Sequence, residues 1–322
     1  MKRMFGNPTI GDVHVDQALS EIAIAYRNKS FIADQVFPLV EVEKQSDKYH
    51  VWDKGSWLTN QVETRTPGDT YPEGRIKLSQ DEFFCDIYHL GYAIPWELQK
   101  NQDAAVQLEE TGAEWLAHQF MLNREIQIAA AIFTSTGPVW DTNPTVGADF
   151  IAWDDYDNSN PPEDIDTYRD TVLQNTGVEP NTLVIGKQVY SKLRRHPLLL
   201  DMYKYTGRGI LTEAEVAAAL EIEKLVVGKC VQRTSIEGTA VAVQAFVWGK
   251  DALMLYVPER PALREPAAGY TFAWKIDDSG LTVNIVPTVQ ENRDRDFLKG
   301  KHAYDFKVTG ADLGVFFESV IS

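Results

Sequence analysis

No proline interrupts the chain between Asn101 and Phe133, and that stretch constrains the fold more than any other. Asn101 or Asp103 can cap a helix there. Leu108, Gly112, Trp115, Gln119, Leu122, Ile126, Ala129 and Phe133 recur at spacings of four and three and mark one stripe along it. About thirty residues at 1.5 Å each span roughly 45 Å, more than twice the mean helix length. A helix of that reach crosses a whole domain, so the rest of the chain must be built along it.

The segments before it are extended. Val15–Tyr26 carries Leu19, Ile22, Ala23 and Tyr26 at helical spacing. After it Phe31, Ile32, Val36 and Phe37 precede Pro38, and Val40 and Val42 then alternate with charge. The spacing predicts an arm that lies on a surface and ends in a strand. Residues 53–80 are polar and broken by Gly55, Pro67-Gly68, Pro72 and Gly74, with Trp57, Leu58, Val62 and Tyr71 as the available anchors. The flanks Lys48–Trp52 and Asp81–Tyr92 read as strands, which makes the segment a long two-stranded excursion. Such a hairpin is marginal alone in water and must lie on something else.

Beyond the helix the pattern is mixed. Pro162 suits a first helical position, and Ile165, Tyr168, Val172 and Leu173 give a helix that stops near Gly177. NTLVIG and KLVVGKCVQ read as buried strands, and Thr212-Glu213-Ala214-Glu215 reads as a capping box. From Val241 onward period-two alternation dominates. Helices and a central strand followed by a β-rich half make the class α+β.

Charge excludes several functions. Thirty-one basic residues against forty-seven acidic ones leave the chain at −16. Nonspecific nucleic-acid binding needs a cationic surface that displaces counterions at phosphates. Lys192, Arg194 and Arg195 form one basic group and Arg293, Arg295, Lys299 and Lys301 a second, but Glu291, Asp294 and Asp296 are interleaved with the second and weaken its field. No stretch approaches the roughly 20 apolar residues of a membrane span. Cys85 and Cys230 are too few for a disulfide framework, so the expectation is a chain made in a reducing cytoplasm.

Chemistry-bearing motifs are sparse. The six histidines never recur at zinc spacing, and neither a nucleophile elbow nor a phosphate loop is present. The acidic loop after Trp153 sets Asp155, Asp157 and Asp166 near calcium-loop positions, although Asn160 stands where that loop needs glycine. A metal-assisted cytosolic hydrolase built on these three aspartates is the enzymatic alternative. The leading expectation is a protein without catalytic residues or cofactor, whose extended parts need identical neighbours to cover them.

The phrases GVEPNTLVIGKQVYSKLRRHPLLLDMYKYTGRG, LTEAEVAAAL, KLVVGKCV, VWGKDALMLYVPERP, GYTFAWK and VTGADLGVFFESVIS resemble the major capsid proteins of tailed phages with the HK97-type fold. So does ALSEIAIAYRNKSFIADQVFPLVEVEKQSDKYHVWDK near the start. The resemblance implies an N-terminal arm (1–48), an extended E-loop with its flanking strands (49–92), and a P-domain (93–154 and 290–322) around the spine helix 101–133. An axial A-domain would cover 155–289. It further implies a structural protein that assembles with itself as pentamers and hexamers into an icosahedral head. That head would be put together in the host cytoplasm and would enclose DNA without reading its sequence. Separate scaffolding, portal and decoration proteins would be further partners, and no membrane is involved. Subunit contacts would fall on Phe31, Ile32 and Phe37 of the arm and Trp57, Leu58 and Tyr71 of the E-loop. Lys204, Tyr205 and Arg208 would lie near a capsomer axis. An encapsulin-type compartment shell is the alternative within the same fold.

Overall fold

The computed structural model describes residues 28–64, 66–68, 70, 73–101, 107–134, 139–204, 209–235, 243–260, 265–275 and 283–322. In chain order the first half contains α1 (Ala33–Val36), β1 (Leu39–Val42), β2 (Ser46–Trp52), α2 (Lys54–Leu58), β3 (Leu78–Phe84), β4 (Asp86–Pro95), α3 (Trp96–Lys100), α4 (Leu108–Ile132) and α5 (Pro161–Thr176). There follow β5 (Thr182–Gly186), α6 (Lys187–Leu193), α7 (Pro197–Met202), α8 (Glu213–Ala219), β6 (Lys224–Gly228), β7 (Val231–Arg233), β8 (Gln244–Phe246) and β9 (Ala252–Leu255). The last strands are β10 (Gly269–Trp274), β11 (Val283–Gln290), β12 (Arg295–Val308) and β13 (Gly314–Phe317).

The long helix is α4, and it begins at Leu108 rather than at Asn101 or Asp103. Asn101 instead closes the short helix α3, its side-chain amide donating to the Glu97 carbonyl at 2.7 Å. The buried stripe also differs from the expected one. It runs through Leu108, Gly112, Leu116, Phe120, Arg124, Ile128 and Ile132, a constant step of four, while Trp115 is exposed. Each step of four overshoots a full turn by about 40°, so the stripe winds around the helix. The reason is that the helix has two different neighbours. Its first half packs on β4 and β12 through Leu116, Phe120, Ile94 and Leu298. Its second half enters a core with Phe37, Trp248 and Phe316. Gly112 permits the first contact, because a Cβ there would run into Tyr92 and Leu298.

Two sheets carry the body. The first has the order β1-β10-β12-β11, with β4 also paired to β12. The second, β13-β9-β5-β6, is buried along β13, β9 and β5 and packs under α5, α6 and α8 through Ile165, Val172, Val189, Leu193 and Val216. The expected boundaries at 154/155 and 289/290 do not coincide with these sheets. Strands β10 and β11 pair with β12, and β13 leaves the β12 sheet to pair with β9. Helix α5 ends at Gly177, whose φ of 75° is the left-handed geometry glycine adopts without strain. Thr212 and Glu215 form the predicted capping box.

Strands β2 and β3 form a separate antiparallel pair, from Ser46 opposite Phe84 to Trp52 opposite Leu78. The strand expected over Asp81–Tyr92 is therefore two strands that diverge at Cys85. That residue is fully buried, and its N–H donates to the Gln45 carbonyl at 2.8 Å. The predicted helix Val15–Tyr26 lies outside the described residues.

Candidate assembly surfaces

The arm is fastened to its own chain by a buried carboxylate. Glu125, fully buried on α4, accepts hydrogen bonds from the Ile32 N–H (3.1 and 3.0 Å to its two oxygens), the Ala33 N–H (2.9 Å) and Trp248 Nε1–H (2.6 Å). Burial pushes its carboxyl above the ordinary range, and these donors with the neighbouring Arg124 pull it back. Arg124 pairs with Asp34 of the arm. The Asn28 N–H donates to His118 Nε2 at 3.1 Å, and the Asn28 side chain bridges to the Val231 backbone. Ile32 (4 % exposed) and Phe37 (0 %) are part of the subunit's own core. This corrects the expectation that they face a neighbour, because an apolar arm gains the same burial from its own body when that body offers a groove. Phe31 stays half-buried, its ring edge-on to His118 at 5.6 Å.

The paired strands β2 and β3 expose what the body hides. Asp53 caps α2 by accepting from Ser56 N–H (3.2 Å) and Oγ–H (2.9 Å), and Ser56 Oγ accepts from the Lys77 N–H at 3.2 Å. The end of the β2–β3 ladder away from Cys85 is thereby closed, and Lys54 Nζ ties it to Asp312 at 2.5 Å. Trp57 is 59 % exposed, Leu58 57 % and Val62 85 %, and Ile76, Leu78 and Phe84 are also exposed. Trp57, Leu58, Val62 and Ile76 line an open groove of about 620 Å³. Tyr71, the third expected anchor, lies outside the described residues. Apolar side chains gathered this way on one element mark a surface that another chain covers.

Lys204 is exposed and bonds Asp201 at 3.0 Å, while Tyr205 and Arg208 lie outside the described residues. The acidic loop does not form a metal centre. Asp155 accepts from the Asp157 N–H (3.3 Å) and Asn158 Nδ2–H (3.0 Å), and Asp166 pairs with Arg169 at 2.8 Å. Among the described residues no three His, Cys, Asp or Glu side chains converge, which overturns the ligand set Asp155, Asp157 and Asp166. The loop serves local structure instead, since Asp154 holds the Ser322 N–H and hydroxyl and Asp164 accepts from Trp153 Nε1–H.

Two further groups have the elements of reactivity without the arrangement. Ser159 Oγ lies 3.0 Å from His196 Nε2, but its hydroxyl proton is directed to the Asp155 carbonyl at 2.5 Å. Burial pushes the Cys85 thiol up to about 11 and Cys230 up to about 12, so neither is a thiolate at neutral pH. Glu125 escaped the sequence reading. Its only signal there was an Arg-Glu pair inside a stretch of helix with no other charged residue between Glu114 and Phe133.

Residues 146–299 match the family model described as phage major capsid protein E. The chain is 25 % identical over 307 residues to the major capsid protein of Burkholderia phage BcepMu, covering 93 % of this chain and 94 % of that one. It is 27 % identical over 317 residues to the major capsid protein of Pseudomonas phage JBD67, covering 96 % and 97 %. A phage-related protein from Bordetella bronchiseptica superposes with a TM-score of 0.69 at 24 % identity, covering 95 % of this chain and 97 % of that one. The mature capsid of bacteriophage PhiM1 (TM-score 0.55, 15 % identical, 95 % and 92 % covered) has the same fold. So does the holo-SrpI encapsulin of Synechococcus elongatus PCC 7942 (0.53, 10 %, 96 % and 97 %).

Proposed function

We propose that this chain, which has the fold of phage and encapsulin shells and resembles phage major capsid proteins over nearly its whole length, is the shell-forming subunit of a tailed-phage head. Its role is structural, as the names of its relatives state, and its place is the virion capsid. The observation that carries the reading is the β2–β3 excursion. Phe83 and Tyr49 pack on Phe272 of the body, but Trp57, Leu58, Val62 and Ile76 stay exposed, and an identical neighbour is the surface that buries them. In the terms of the resemblance, β2 to β3 is the E-loop, α4 the spine helix, the β12 sheet the P-domain and the β5–β9 sheet the A-domain, with the 204–208 segment near a capsomer axis. Pentamers and hexamers are the units in which the copies associate, in the host cytoplasm and around DNA held without sequence reading. Scaffolding, portal and decoration proteins are the further partners. Burial of apolar area, at about 25 cal/mol per Å² before the entropic costs of association, drives the contacts.

Light scattering on the size-exclusion peak of the purified chain, with negative-stain images of the heaviest fraction, tests this. Capsomers or hollow shells are expected. A monomer at every salt and protein concentration overturns it. Replacing residues 59–76 with a short turn is expected to leave a folded subunit that forms no stable shell.

A further inference from the structure

In sequence the basic run near the C-terminus is neutralised by its acidic neighbours, but the strand separates them. Leu298 and Gly300 of β12 meet Gly112 and Phe120 of α4, so even-numbered residues of this stretch point to the helix. Asp296 is among them and accepts from Trp96 Nε1–H at 3.1 Å. Odd-numbered residues point the other way, as the contact between Phe297 and Gly91 shows. That opposite face therefore carries Arg295, Phe297, Lys299 and Lys301. Register sets Lys299 between Val286 and Gly91 and puts His89 opposite Lys301; Arg295 lies between Gln290 and Pro95. No carboxylate occurs in these rungs. Lys299 and Lys301 are exposed, and among the described residues neither pairs with an acid of its own chain. At Ala303 the face passes under the base of β3, where Phe83 and Cys85 cover it.

We propose that this cationic sheet face is a docking surface for an acidic segment of a second copy of the chain. The inference rests on the shell reading above. Charge complementarity selects the occupant: each copy carries a net −16, so copies repel one another wherever their surfaces meet at random. A face with three cations and no carboxylate is where an acidic neighbour is attracted instead, and the half-buried Phe297 and exposed Val286 supply apolar area to be covered. The face also adjoins the root of the β2–β3 excursion, the element already assigned to contact between copies.

Shells assembled from a mixture of unlabelled and ¹⁵N-labelled full-length chains, treated with a zero-length carbodiimide coupler and digested, provide the test. Mixed-isotope peptides joining Lys299 or Lys301 to an Asp or Glu are expected. The double reversal K299E/K301E is expected to retain the wild-type thermal midpoint and to need roughly tenfold more protein to form shells at low salt. Shells formed by that variant at wild-type concentration overturn the proposal. So do couplings confined to single-isotope pairs, or a variant that loses only binding to DNA while assembling normally. A wild type that never assembles fails the shell reading itself, a result distinct from a wild type and variant that assemble equally.

Discussion

The β13-β9-β5-β6 sheet and the β2–β3 pair contain similar residues and treat them in opposite ways. In the sheet, Leu183, Ile185, Leu253, Met254, Val315 and Phe317 have no exposed surface. In the pair and its loop, Trp57, Leu58, Ile76, Leu78 and Phe84 keep about half of theirs. The hydrophobic effect is the same in both places, so the difference lies in what each is complete with. The sheet closes on helices of its own chain and stores the stability of the subunit. The pair rests on β10 through Phe83 and Tyr49 but leaves its other apolar side chains open, and on the proposed reading these supply the free energy of association.

Substitutions on the two sides of this contrast are expected to separate stability from assembly. Phe317→Ala removes a ring packed against Phe150, Trp153 and Tyr168, and is expected to cost about 3–5 kcal/mol of subunit stability in urea denaturation. Glu125→Ala strands three buried donors, two from the arm and one from Trp248, and is expected to cost about 3 kcal/mol by the same measurement. Limited proteolysis of that variant would cut the arm first. If the arm stays protected, the carboxylate is not its fastener.

Acid offers a third way to probe the body. His302 is buried between the sheet and α4, and desolvation with the nearby Arg124 holds its folded pKa down to about 4, against 6.5 when exposed. A depressed histidine pKa means the unfolded chain takes up the proton first. This contribution is whole above about pH 6.5 and is lost as pH falls toward 4, on the order of 3 kcal/mol in all. Stability measured across that window should fall more steeply in the wild type than in His302→Phe. Parallel curves would remove His302 as the cause.

The smallest effect on stability should come from the paired strands. Trp57→Ala with Leu58→Ala is expected to change the stability in urea by less than about 0.5 kcal/mol, because both side chains are more than half exposed. Shell yield should nevertheless collapse. A large loss of stability in this variant would mean that the excursion belongs to the body after all.

Much of this division was legible in the sequence. The buried strands announced themselves as short apolar runs (TLVIG, KLVVG), and the excursion as polar sequence broken by glycine and proline with a few large anchors. What could not be read was tertiary. Ile32 and Phe37 look the same in sequence whether they bury in their own groove or a neighbour's. The winding stripe of α4 follows from its having two neighbours in succession, which the three-and-four spacing of a helix lying on one surface does not encode. The carboxylates of the acidic loop are spaced like ligands, but Asp155 is committed to a backbone N–H and an asparagine amide, Asp164 to an indole and Asp166 to an arginine. Even the segregation of Arg295, Lys299 and Lys301 from Asp296 needed the knowledge that this stretch is a strand.

Cys85 has a consequence for the shape of whatever these subunits build. It is the single residue between β3 and β4, sealed from solvent and held at its N–H, so the excursion leaves the body without a hinge. A reach that swings meets its neighbours at many angles and closes into nothing in particular. A reach welded at one peptide points in one direction from every copy, and a fixed angle repeated is curvature. On the proposed shell reading, the curvature of the closed surface depends partly on that joint, one residue long.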